Sequence, residues 1–271
     1  MACTLSMLSS AQLVEIVSTQ QLSISSDEGL KVAAFSPLGD YLLLTNDVNR
    51  GLIHYDLSTG SITTITDADG AGWAAKISPD GKQIIYRERY MNADHTLSNN
   101  IVNFTLNTRQ RAMIARGQRD LSKLVSANQN SSVAINGDLH MVLTHSGKTT
   151  ILTPNGVDEA YNWASLSPDG TKILYYVSGK GCYTCDLNGN NVHYIALDCR
   201  APQWYDNNII IGMHDEDNGK WLTASAIVAY NMQGQKQILV QKENMAIYPY
   251  TANGKIAFST ANGEIYLMHV K

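Results

Sequence analysis

The chain has 271 residues, 44% of them hydrophobic and 16% charged, with a formal net charge of −4. That length suits one large all-β domain or two small ones, and the composition is that of a chain with a full core. The mild acidity leaves no basic footprint for nucleic acid or an anionic membrane, and no stretch reaches the roughly 18 consecutive apolar residues that span a bilayer.

The opening "MACTLSMLSSAQLVEIVSTQ" has neither a basic start nor a continuous apolar run, so it does not read as an intact signal peptide. Within it, "QLVEIVS" (12–18) reads as a lone strand with no partner in its own half of the chain. A hairpin then appears at "AFSPLGDYLLL" (34–44), in which a Ser-Pro turn joins two apolar runs. Pro fits a turn position where a fixed φ helps, and Gly39 permits a positive φ. A second hairpin follows at once, "LIHYDLSTGSITTIT" (52–66).

The same pair of hairpins recurs along the chain. "KISPDGKQIIY" (76–86) is followed by "IVNFTLNTRQRAMI" (101–114), and "SLSPDGTKILYY" (165–176) by "YTCDLNGNNVHYI" (183–195). Weaker copies are "LVSANQNSSVAI" with "MVLTHSGKTTILT" (141–153), and "QWYDNNIII" with "IVAYNMQGQKQILV" (227–240). The last copy, "PYTANGKIAF", leads into "GEIYLMHVK" and stops one strand short. With turn anchors at Ser36, Ser78, Ser126, Ser167, Tyr205 and Thr251, the period is roughly 40–45 residues, the signature of four-stranded propeller blades. The expected fold is therefore all-β: one six-bladed β-propeller domain over residues 1–271. Its lone N-terminal strand completes the last blade and closes the ring. Small residues three positions before the turn (Ala33, Ala75, Ala164) suit strands that converge on an axis.

The S-P-D-G turn followed by apolar residues, with "YDLSTG" and "EIYLM" in outer hairpins, resembles the TolB-like or WD40-like (PD40) six-bladed propeller repeats. The resemblance covers the chain from about Lys31 onward and departs from S-P-D-G at the anchors 126, 205 and 251. Propellers of this type include the partner-binding one of TolB, those of prolyl oligopeptidases and the oligogalacturonate lyases. The resemblance implies a bacterial protein of the periplasm or cell surface, without TolB's extra N-terminal domain or the peptidases' hydrolase domain.

Propeller topology puts the S-P-D-G and D-L-S-T-G turns on one face, and the blade links and the second-to-third-strand loops on the other. Blade three turns there through Asn136-Gly137, a type I′ signal. Two loops on that face are long: "RERYMNADHTLSNN" (87–100) and "HDEDNGKWLTA" (214–224), in blades that oppose each other across the ring. They supply the candidate ligand-binding residues Arg87, Arg89, Tyr90 and His95, and His214, Asp215 and Asp217. Trp73, Trp163, Arg200 and Trp204 near the channel mouth complete the set. Solvated insertions and inter-blade wedges are the plainer readings of these same residues.

Sharper motifs fail. Gly147-Lys148-Thr149 lacks the first Gly of a P-loop, Asp215-x-Asp217 lacks the remaining EF-hand ligands, and Asp67 and Asp69 read as turn formers. No G-x-S-x-G is present, and the seven His residues are scattered. Cys182 and Cys185 are three apart on a strand, hence on opposite faces, and no second C-x-x-C exists. Buried free thiols are the expectation, with a Cys182–Cys199 disulfide as the alternative. The expected function is a non-catalytic binding module that holds a protein, peptide or glycan at the channel mouth, with no cofactor, metal, nucleic acid or membrane span. The alternative is a carbohydrate-active enzyme resembling the oligogalacturonate lyases, which would draw a base and a carboxylate partner from Arg87, Arg89, Arg200 and His214.

Overall fold

A computed structural model describes residues 12–24, 29–125 and 130–271. The strands follow the expected repeat. After β1 (Ile16–Gln21), blade one is β2 (Leu30–Phe35), β3 (Tyr41–Asn46), β4 (Leu52–Asp56) and β5 (Ile62–Thr66). Blade two is β6 (Lys76–Ile77), β7 (Gln83–Met91), β8 (Leu97–Thr105) and β9 (Gln110–Gln118). Blade three comprises β10 (Ser131–Ile135), β11 (Met141–His145) and β12 (Lys148–Leu152). Blade four is β13 (Tyr161–Leu166), β14 (Lys172–Val177), β15 (Gly181–Asp186) and β16 (His193–Ala196). Blade five is β17 (Arg200–Trp204), β18 (Ile209–Asp217), β19 (Leu222–Asn231) and β20 (Lys236–Val240). Blade six is β21 (Ala246–Ala252), β22 (Lys255–Thr260) and β23 (Ile265–Val270), with β1 added on its outer edge. Every pairing is antiparallel, and the sheets form a six-bladed β-propeller.

The core is divided as this architecture requires. One apolar cluster lies at each boundary between consecutive blades, from Leu43, Ile84 and Tyr86 between blades one and two to Leu267 and Leu44 between blades six and one. The two-to-three boundary is the thinnest among the described residues, with only Ile85, Ile101 and Leu124 as its buried members. Among the described residues blade three has three strands. The anchor Ser126 lies outside the described residues, and just before it Leu121–Leu124 forms a turn instead (Leu124 N–H to Leu121 O, 2.8 Å). Leu124 is fastened by packing on blade two rather than by a ladder.

The S-P-D-G turn explains its own spelling. Ser78 is fully buried, so its hydroxyl needs partners: it donates to Asp80 Oδ1 (2.5 Å) and accepts the Gln83 N–H (2.9 Å). Ser167 does the same with Asp169 (2.6 Å) and Lys172 (3.0 Å). Blade one has Leu38 at the Asp position, and Asp40, two residues later, takes over (Ser36 Oγ to Asp40 Oδ1, 2.5 Å). Gly81 and Gly170 hold φ near +70°, where a Cβ would be strained.

Four blades share a second device. The residue four before the first turn residue is left-handed: Ala74, Trp163, Ala201 and Tyr248, at φ +59°, +50°, +46° and +50°. In β13, β17 and β21 this falls where the pairing register slips, a bulge that bends the inner strand. Ala75 and Ala164, which follow it, are buried as expected of converging strands, as is Ala33 in blade one.

Three local expectations need correction. The closing strand runs over 16–21 rather than 12–18, because Leu13 and Val14 are held by Gln237 instead of by a ladder, and Val14 is buried between blades five and six. Blade three does not use a type I′ turn: Asn136 Oδ1 accepts the N–H groups of Asp138 and His140, and the left-handed residue is Leu139, not Gly137. In blade six Ala252 pairs with Lys255 around Asn253-Gly254, so the turn begins at Ala252, one residue beyond the assigned Thr251. The cysteines fit their expectation. Cys182, Cys185 and Cys199 are buried free thiols, with Cys182 and Cys185 in the clusters on opposite faces of blade four.

Candidate functional site

The hairpin order places the blade links and the second-to-third-strand turns on one face. The two long loops expected there are not loops. Residues 87–100 continue β7 and β8 into a twisted hairpin whose tip is only 92–96, closed by Asn92 N–H to Thr96 O (2.8 Å). Residues 214–224 likewise extend β18 and β19 to a tip at 218–221. Period-2 alternation is hidden because successive residues of these extensions are polar or charged on both sides, as in Arg87-Glu88-Arg89 and His214-Asp215-Glu216-Asp217. Their strands have nine or ten residues where the equivalent strands of blades one and four have five or six. At roughly 3.3 Å per residue, each hairpin rises on the order of 10 Å beyond its neighbours.

On the blade-two hairpin, Arg87 is half-buried and its Nε–H donates to Gly70 O (3.0 Å). Burial, then the charge of Arg89, depresses its pKa to about 10. Arg89 and Tyr90 are exposed, and His95 sits at the tip with φ +62°. Met91 and Leu97 pair across the two strands and are largely exposed, at 62% and 50%.

The blade-five hairpin is built differently. Asp215 is buried, with its side chain only 4% exposed; it accepts Ser225 Oγ–H (2.8 Å) and pairs with Arg200 (3.2 Å). Burial still raises the Asp215 pKa, against the lowering by Ser225 and Arg200. Ser225 was not visible as a site residue, since a small hydroxyl inside the apolar run "TASAIVAY" reads as filler. Arg200, Asp217, Lys220 and Trp221 line a shallow hollow of about 290 Å³, and Trp221 is 73% exposed. His214 points to the other side of β18, with its Nδ1 buried and unpaired.

The tryptophans divide. Trp73 is exposed on the link into blade two, and Trp163 stands at the left-handed position with Tyr176 edge-on at 5.4 Å. Trp204 is not at the mouth. It lies one residue before the opposite turn, buried in the cluster between blades four and five, as a wedge. The structure thus gathers Arg200, Asp215 and Asp217 on blade five, and Arg87 and Arg89 on blade two across the ring. No three His, Cys, Asp or Glu side chains cluster as a metal site among the described residues. Among the described residues no helix is long and apolar enough to cross a membrane.

Comparison with known proteins places this geometry. No family model matches the chain, and no curated protein sequence does. Among solved structures, TolB from Acinetobacter baumannii superposes with a TM-score of 0.59 at 21% identity, over 81% of this chain and 56% of that one. The chain thus spans little more than half of that TolB. A putative TolB from Agrobacterium tumefaciens gives 0.59 at 14% identity, over 91% of both chains. An oligogalacturonate lyase in complex with manganese gives 0.55 at 14% identity, over 88% of this chain and 76% of that one. These likenesses show the fold: a six-bladed β-propeller of the kind found in TolB proteins and oligogalacturonate lyases.

Proposed function

We propose that this propeller is a non-catalytic binding module that holds a protein or peptide segment on the face bearing the two raised hairpins. The observation that carries the reading is the pair of projecting hairpins on opposite blades, each with apolar side chains at its tip: Met91 and Leu97 on one, Trp221 on the other. Exposed aromatic and Met side chains on a rim of charges are what protein-binding surfaces use as anchors. Trp221 is 73% exposed, so covering the exposed part of a side chain of about 200 Å² at about 25 cal/mol per Å² contributes roughly 3.5 kcal/mol at most. A glycan, the other ligand class, would stack on the same Trp221 and Trp73. The lyase alternative is less well supported. Arg200 is bound to Asp215, His214 faces into the blade, and the Arg87–Arg89 pair stands across the ring, so no base and counter-charge converge.

The test is a selection of displayed peptides on the wild-type protein, with a glycan panel in parallel. Selected peptides should lose at least about tenfold in affinity when Trp221 and Met91 are both replaced by Ala, a difference of about 1.4 kcal/mol. The melting temperature of that variant should not move, since both side chains are already in water. Peptides that bind the variant as tightly as wild type would refute the placement, and turnover of an oligogalacturonide would refute the class.

A further inference from the structure

We propose that Asp215, Ser225 and Ala246 form a proton-operated relay that sets the charge of the blade-five hollow. With a proton on Asp215, the Arg200 charge is left to an acidic group of the bound segment beside Trp221. The proposal rests on the reading of the blade-five hairpin as part of a binding face and adds its regulation. Ser225 is fully buried, and its Oγ lies 2.8 Å from Asp215 Oδ1 and 2.6 Å from Ala246 O. Both neighbours are acceptors at hydrogen-bond distance, and a hydroxyl has one proton to give. Ala246 is fully buried too, and its carbonyl lies outside the β21–β22 ladder. The bond beside it, Ala261 N–H to Met245 O (3.0 Å), makes Ala246 and Thr260 a non-hydrogen-bonded pair.

The two states of Asp215 give two arrangements. As a carboxylate it takes the Ser225 proton, and the Ala246 carbonyl then faces a hydroxyl oxygen that has nothing left to donate. When Asp215 takes up a proton from solvent, Oδ1–H donates to Ser225 Oγ, and Ser225 Oγ–H donates to Ala246 O. Asp215 Oδ2 still accepts from Arg200 Nη1 (3.2 Å). The neutral acid therefore serves every acceptor in the set, whereas the carboxylate leaves one buried acceptor unserved. Burial pushes the Asp215 pKa in the same direction, ahead of the opposing Ser225 and Arg200.

The relay reaches the ligand through Arg200. Its side chain is 48% exposed and lines the hollow with Asp217, Lys220 and Trp221, whereas that of Asp215 is 4% exposed behind it. With Asp215 ionised, the cations Arg200 and Lys220 are balanced by Asp215 and Asp217. With Asp215 neutral, one positive charge remains in a hollow walled by an indole. A guanidinium suits a planar oxyanion, so the group it draws is an acidic side chain or terminus. Neighbouring charges leave this balance in place. Glu216 pairs with Lys242 on the far side of β18 (2.8 Å), and His214 lies on that side as well. Glu243 sits in the 3-10 turn Lys242–Asn244 packed on β19. Tyr248 approaches from blade six with Lys31 over its ring (5.7 Å), and Tyr176 from blade four. All are common to wild type and Asp215→Asn, so that variant subtracts them.

The experiment uses sulfate as the probe, because its charge is constant over roughly pH 4 to 8, where carboxylates and His titrate. Binding to the whole chain is followed by NMR through the Trp221 indole N–H, and Asp215 through its carboxyl carbon. Wild-type affinity should rise at least about fivefold as pH falls through the Asp215 midpoint. Asp215→Asn keeps the acid pattern, its amide donating to Ser225 and its oxygen accepting from Arg200, and should bind at the acid-side strength throughout. Arg200→Gln should bind weakly throughout, with melting curves to confirm folding. By linkage, sulfate should raise the wild-type Asp215 midpoint, a readout that needs no variant to fold. A midpoint at or below the ordinary 3.8, a sulfate affinity without a pH step, or a step that persists in Asp215→Asn would overturn the proposal. Peptides indifferent to Trp221 and Met91 would refute the docking reading alone, since neither the midpoint nor the sulfate step uses a peptide.

Discussion

Deleting residues 1–21 removes the strand that closes blade six, and the structure allows its cost to be worked out. The six side chains of β1 are all exposed, so they contribute little burial. Its ladder hydrogen bonds, worth about 1 kcal/mol each net, are roughly offset by the ordering of the residues that make them. What remains is Val14 and its clasp. Val14 is 3% exposed between blades five and six, a burial worth about 2 kcal/mol. Gln237 accepts the N–H groups of Leu13 (2.6 Å) and Val14 (2.9 Å), and its Nε2–H donates to Val14 O (3.0 Å). These three part-buried bonds contribute about 3 kcal/mol together. A loss of about 5 kcal/mol is a large share of a domain's usual 5–15 kcal/mol, and at about 2–4 °C per kcal/mol it lowers Tm by roughly 10–20 °C. Scanning calorimetry of the truncated and full chains reads this directly, and Gln237→Ala alone should reproduce about 1–3 kcal/mol of it. A truncated chain that melts within about 2 °C of the full one would refute the reasoning, because neither the clasp nor the closed edge would then stabilise the ring.

Two further predictions concern charge. Arg200→Ala leaves the buried Asp215 carboxylate with Ser225 as its remaining donor, and should cost about 1–3 kcal/mol by urea titration, the range for a charged group losing a hydrogen-bond partner. Asp215 has a raised folded-state pKa, so its stabilising effect is complete below its unfolded value of 3.8 and is lost as pH rises through the folded value. The wild type should therefore lose Tm relative to Asp215→Asn over that window, and parallel curves would show that the carboxylate is not buried. Asp169 is the opposite case: the Ser167 hydroxyl, then Thr171, hold its pKa at about 2. Its contribution is present above pH 3.8 and disappears as pH falls through about 2, so Asp169→Asn should flatten the acid limb of the Tm profile. An unchanged acid limb in that variant would remove Asp169 from the account.

The parts of the fold legible in the sequence were those in which one residue type answers one physical need. S-P-D-G could be read because a buried Ser requires an acceptor two residues on and a Gly beyond it, and that need recurs in blades two and four. It was still legible in blade one, where Asp40 replaces the missing Asp. The raised hairpins read as loops in the sequence because beyond the inter-blade clusters neither side of the strand must be apolar, so Arg87, Glu88, Arg89 and Tyr90 carry no alternation. The N-terminal strand was placed too early for a related reason. "LVEIV" is the apolar stretch, but its buried member, Val14, is the plug, and the ladder uses the polar "STQQ" after it.

The candidate site was legible only in outline, and the reason lies in the ring itself. Inter-blade clusters constrain alternate positions of every strand, so substitutions there show as a break in pattern. Exposed positions on the raised hairpins, such as Arg89, Tyr90 and Trp221, are free of that constraint, so nothing in the repeat marks them. The same freedom lets one propeller scaffold hold unrelated ligands. Its packing fixes where the hairpins rise, and only the few side chains they carry decide what is bound.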